Sequence, residues 1–78
     1  MNNKEEIAKL TAQIEADPDN AVLYLERGKL YNRKNDYSNA INDFNKVLAI
    51  EPGHVEAQQF LRYVNEILDY RYTDQLNP

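Results

Sequence analysis

The chain reads as an all-α protein of antiparallel helix-turn-helix units, four helices in all, and three features predict this. Apolar residues recur every three or four positions through most of its length, which is the helical period. Two proline turns, ADPDN around Pro18 and IEPGH around Pro52, break that period and lie 34 residues apart. Between them Tyr24, Gly28, Tyr31, Ala40, Phe44 and Pro52 hold the mutual spacings of a helical unit built to stack on neighbours.

The first helix is expected from about Asn3 to Ala16, with Asn2 or Asn3 as its cap and Glu5 and Glu6 favourably placed against the helix dipole. Ile7, Leu10 and Ile14 make its single buried stripe. Asp17-Pro18-Asp19-Asn20 stops it and starts the next, because proline cannot continue the hydrogen-bond ladder while Asp and Asn accept orphan amide bonds.

The second helix, about Ala21 to Lys34, carries Tyr24, Gly28 and Tyr31 on one face and Leu23 and Leu30 on another, so both flanks are expected to be buried. Gly28 costs about 1 kcal/mol against alanine in a helix, which implies a packing reason: the facing helix comes close. Asn35 then suits a left-handed turn, and Asp36 a cap. The third helix, about Tyr37 to Ile50, offers Ala40, Phe44, Val47 and Leu48, with Ala40 expected opposite Gly28 and Phe44 beside it. After Glu51-Pro52-Gly53-His54 a fourth helix is expected from Val55 to about Tyr70, burying Ala57, Phe60, Leu61, Val64 and Leu68. The tail RYTDQLNP has no clear period and reads either as disordered or as folding back through Tyr72 and Leu76.

Composition bounds what such a chain does. With 78 residues there is room for one domain and a modest core. The 42% hydrophobic content suits a globule, and 2 Gly and 3 Pro leave no flexible linker. The absence of cysteine rules out disulfides and thiolate chemistry, and with the acidic, amphipathic start MNNKEEIAKL it points to the cytoplasm, without secretion or membrane insertion. A net charge of −4 disfavours nucleic acid. Six tyrosines invite base stacking, yet only Arg62-Tyr63 and Tyr70-Arg71-Tyr72 set aromatic beside basic residues, and Glu66 and Asp69 interrupt them.

Read together, YLERGKLY, NDYSNAINDF and IEP resemble the tetratricopeptide repeat, a 34-residue unit with an aromatic, Leu-Gly, Tyr, then Ala and Phe four apart and a closing Pro. The departure is Arg27, where the pattern has leucine. The resemblance implies an α-solenoid: a short right-handed superhelical stack in which residues 1–20 resemble the second half of a repeat and 21–54 form a complete one. On the same reading 55–70 resemble the first half of the next repeat or a cap, 71–78 are a tail, and the whole is one domain.

The resemblance also implies a non-catalytic scaffold whose concave groove takes a protein or peptide. By family register the groove candidates are Val22, Leu25, Lys29, Asn32 and Arg33 on the second helix and Glu56, Gln59, Tyr63 and Glu66 on the fourth. Lys29 and Arg33, one turn apart, suit an acidic side chain or terminal carboxylate of a partner, or are simply solvated. Chaperone-binding members hold a carboxylate with a lysine and an asparagine where this chain has Leu25 and Lys29, which argues against that use.

A second reading is self-assembly. Repeat stacks need a terminal helix with a polar outer face, and Tyr63, Ile67 and Tyr70 form a second stripe on the fourth helix that either dimerises or lies under the tail. Two outcomes stand for Arg27 as well: a half-exposed arginine reaching solvent at the hairpin edge, the more ordinary one, or a packed stem whose guanidinium meets Asp43.

Nothing in the sequence assembles a catalytic site, a cofactor site or a metal site. His54 is the only histidine and sits in a turn, where solvation or helix capping is the expected role. The carboxylates are scattered, and DPDN lacks the twelve-residue frame, central glycine and terminal glutamate of a calcium loop.

Overall fold

The computed structural model describes residues 2–76, with side chains through Tyr70. Its helices are α1 (Asn3–Ala16), α2 (Ala21–Arg33), α3 (Tyr37–Ile50) and α4 (Val55–Leu76). Neighbours in sequence pack as neighbours in space: α1 on α2, α2 on α3, α3 on α4. The result is an all-α helical repeat, a slab 47 × 30 × 15 Å.

Local chemistry sets each boundary. The Glu5 amide donates to Asn2 Oδ1 at 2.8 Å, and Glu5 and Glu6 occupy the first turn of α1. Asn20 caps α2 by accepting the Val22 amide at 3.1 Å, while its own side-chain amide donates to Asp17. The Tyr24 hydroxyl donates to the Pro18 carbonyl at 2.8 Å and ties this turn to α2. At the far end Asn35 takes φ 61°. Its amide reaches the Asn32 carbonyl and the Asp36 amide reaches that of Tyr31, the paired bonds that close a helix through a left-handed residue. His54 does cap α4: the Ala57 amide donates to its Nδ1 at 3.1 Å.

The core runs along the α2–α3–α4 junction, where Ala40, Phe44, Val47, Ala57 and Val64 are wholly buried. A Cβ on Gly28 would lie 2.7 Å from Phe44 Cε1, and its next two neighbours are also Phe44 ring atoms. The expected filling of the space above Gly28 by Phe44 is what the structure shows. Phe60 of α4 stacks on the same ring, centroids 5.1 Å apart and planes 13° apart, so one phenylalanine joins three helices.

Arg27 takes the second of its two expected outcomes. Nε donates to Asp43 Oδ2 at 2.8 Å and Nη2 to Oδ1 at 2.7 Å, a two-pronged pair between α2 and α3. Nη1 also reaches Thr11 of α1 at 3.2 Å, and the guanidinium lies 5.9 Å from the ring centroids of both Tyr24 and Tyr31. The hydrogen bond to Asp43 raises the arginine pKa above its already high ordinary value, so it stays charged at any working pH. Arg27 thus welds three helices where leucine would join two.

One expectation about α4 needs correction. The helix runs to Leu76, six residues beyond the expected end, so the backbone does not turn back at Arg71. The covering role given to Tyr72 and Leu76 concerns side chains outside the described residues. The outer face of α4 is polar. Positions 34 residues after Tyr24, Gly28 and Tyr31 are Gln58, Arg62 and Asn65, all exposed and polar.

Candidate functional site

The groove candidates fall into place unevenly. Val22 is 59% exposed. Arg33, Glu56, Gln59 and Glu66 are exposed, while Lys29 and Asn32 are half-buried. Leu25 is only 6% exposed and belongs to the core cluster, which removes it from the candidate set. The reason is steric: α2 lies between α1 and α3, so its outward arc is narrower than register alone suggests.

Across that arc α2 meets α4. Lys29 Nζ lies 2.8 Å from Glu56 Oε2, with Glu26 more distant at 3.8 Å, and sits 5.8 Å from the Phe60 ring centroid. The cation expected to await a partner's carboxylate already has one from its own chain. Arg33, one turn on, lines a cleft between α1 and α2 together with Lys29, Glu26, Glu6 and Lys9, so Lys29 stands between that cleft and Glu56.

Beside the ion pair, Asn32 of α2 and Gln59, Phe60 and Tyr63 of α4 line a shallow cleft of about 390 Å³. A second, of about 270 Å³, continues along α4 between Tyr63, Glu66, Ile67 and Tyr70. Tyr63 borders both. The groove and the tyrosine stripe are therefore one continuous surface, not two surfaces facing apart. Tyr63 and Tyr70 are 54% and 70% exposed, and Ile67 is half-buried between them.

Sequence reasoning passed over the Lys29–Glu56 pair and the part Phe60 plays at the groove. The partners are 27 residues apart and no helical period links them. The only signal available was the acidic residue just past the helix cap at His54, opposite the basic end of α2.

With this geometry in view, residues 21–54 match the family model of the tetratricopeptide repeat. The chain carries a tetratricopeptide repeat. No curated protein matches it. The matched span is α2, the Asn35 turn, α3 and the Pro52 turn, so Gly28 against Phe44 lies inside the repeat, while Phe60 and Tyr63 lie just beyond it. Tetratricopeptide repeats generally mediate protein-protein interaction and are typically non-enzymatic. Among the described residues no helix is long and apolar enough to cross a membrane, and no three His, Cys, Asp or Glu side chains gather as metal ligands.

Proposed function

We propose that the chain is a non-catalytic interaction module, a single unit over residues 1–78, which holds a protein or peptide on the surface shared by α2 and α4. One observation carries the reading. The Lys29–Glu56 pair ties the two helices together beside a cleft that offers the amides of Asn32 and Gln59 and the rings of Phe60 and Tyr63 side by side. Polar groups that fix orientation beside apolar surface that supplies affinity are what a binding site needs. Glu66 extends that surface along α4, while Val22 and Arg33 offer exposed positions elsewhere on α2. The net charge of −4 makes a protein a better partner than a polyanion.

The test is a photo-crosslinking side chain placed at Asn32, at Gln59 or, as control, at exposed Ser38 on α3. Partner adducts from the first two and none from Ser38 are expected. Equal labelling from all three would sink the groove assignment.

The exposure of Tyr63 and Tyr70 favours one further reading, a homodimer joined through Tyr63, Ile67 and Tyr70. Light scattering decides it: a dimer that Tyr63→Ser and Tyr70→Ser convert to monomer supports it, and a monomer at every concentration removes it.

A further inference from the structure

The strip along α4 has a spacing and charge that select among possible peptides. Tyr63 and Tyr70 are two helical turns apart, about 10 Å along the axis, with Ile67 between them and Phe60 one turn before. A polyproline II strand repeats every three residues, at about 3.1 Å each, so its turn of roughly 9 Å nearly equals that step. Successive apolar edges of such a strand fall into the two clefts on either side of Tyr63. Its carbonyls make no internal bonds, and the side-chain amides of Asn32 and Gln59 lining the first cleft are donors of the kind they need.

Depth points the same way. Both clefts are shallow, and the chain has one complete repeat to form them, so a ligand that loses much entropy on binding gains too little in return. A polyproline II strand is already extended when free. Charge supplies the last element. Glu66 lines the second cleft, Lys29 is neutralised by Glu56, and the chain carries −4.

We infer that the Phe60–Tyr63–Ile67–Tyr70 strip binds a proline-rich, basic segment in the polyproline II conformation, its arginine or lysine paired with Glu66. The inference rests on the groove reading above and names the partner chemistry for its α4 half.

The experiment is a titration of the ¹⁵N-labelled full chain with three synthetic peptides of equal length: repeated Pro-Pro-Arg, repeated Gly-Ser-Arg and repeated Pro-Pro-Glu. Saturable shifts at Tyr63, Glu66, Ile67 and Tyr70 are expected with Pro-Pro-Arg, and roughly tenfold weaker binding of the other two. Tyr63→Ala and Tyr70→Ala should each weaken it roughly tenfold, whereas Asn65→Ala on the outer face should not. The two tyrosines are exposed, so circular dichroism should show the variants folded. Equal binding of Gly-Ser-Arg means bare charge attraction and overturns the inference, as does unchanged affinity in Tyr63→Ala. Absence of any saturable shift does the same, and so does self-association that occupies the strip in the free chain. If Asn32 and Gln59 crosslinks persist while Pro-Pro-Arg fails to bind, this inference falls alone; if the crosslinks fail, the groove reading falls first.

Discussion

Replacing Arg27 with leucine moves residues 21–54 toward the pattern of the repeat they match and is expected to destabilise the chain. The cause is Asp43, whose side chain is only 5% exposed and whose two oxygens are held by Arg27 at 2.8 and 2.7 Å. Removing one member of a buried ion pair typically costs about 3–5 kcal/mol, because the remaining charge is left without a partner. Here the arginine side chain is 18% exposed, so some water reaches the site. Leucine also recovers about 1 kcal/mol of apolar burial. A net loss of about 2–3 kcal/mol follows. For a chain this short the whole stability is on the order of 4–12 kcal/mol, and each kcal/mol moves Tm by about 4–8 °C, so a fall of roughly 10–20 °C is expected. Urea and thermal denaturation followed by circular dichroism measure it. Asp43→Leu alone should cost a similar amount, while the double variant should lie within about 1 kcal/mol of the parent, since neither charge is then stranded. If R27L is as stable as the parent, or if the two single effects simply add, the reasoning about a mutually dependent pair is wrong.

Gly28→Ala gains about 1 kcal/mol of helix propensity but drives a methyl to within 2.7 Å of a Phe44 ring that is wholly buried and stacked on Phe60, so a net loss of about 1 kcal/mol is expected, with Phe44→Leu relieving it in the double variant. Asn35→Ala keeps the turn at φ 61° without a residue suited to it and should cost about 1 kcal/mol by urea denaturation, whereas Asn35→Gly should not. Lys29→Glu sets a third carboxylate beside Glu26 and Glu56; partner crosslinking at Asn32 should fall while stability changes by only about 1 kcal/mol or less, because the pair it breaks is half-exposed.

Helix boundaries were legible wherever a single residue decides them. Asn2, Asn20, Asn35, Asp36 and Pro52 act through bonds or dihedrals within a few positions, so their effect can be read without the fold. The end of α4 has no such residue. Arg71 to Leu76 contain neither glycine nor proline, so nothing in the sequence breaks the helix there even though the apolar period has ended. An established helix propagates one hydrogen bond per residue until a breaker stops it. Leu25 failed for the opposite reason: its register is right for the groove, but its environment depends on α1, which register does not contain. The Arg27–Asp43 pair lay between the two cases, since the anomaly at Arg27 was visible while the choice between solvent and Asp43 needed the α2–α3 approach that Gly28 permits.

The same 34-residue translation predicts that copies of this unit do not stack end to end. Inside the repeat, α2 presents Tyr24, Gly28 and Tyr31 to the Ala40, Phe44 and Val47 of α3. Shifted forward one period, α4 presents Gln58, Arg62 and Asn65; shifted back, α1 presents Glu6, Leu10 and Gln13. Joining α4 of one copy to α1 of the next would complete a helical hairpin in outline, yet bury at least five polar side chains against a single leucine. Each polar group buried without a matched partner costs roughly 1–3 kcal/mol, more than that leucine returns. Restoring the internal pattern at both ends, with Gln58→Tyr, Arg62→Gly and Asn65→Tyr on α4 and Glu6→Ala and Gln13→Val on α1, should convert the chain into one that grows end to end with concentration in sedimentation velocity. If the fivefold variant stays helical and sediments as the parent does, polar end faces are not what limits the stack.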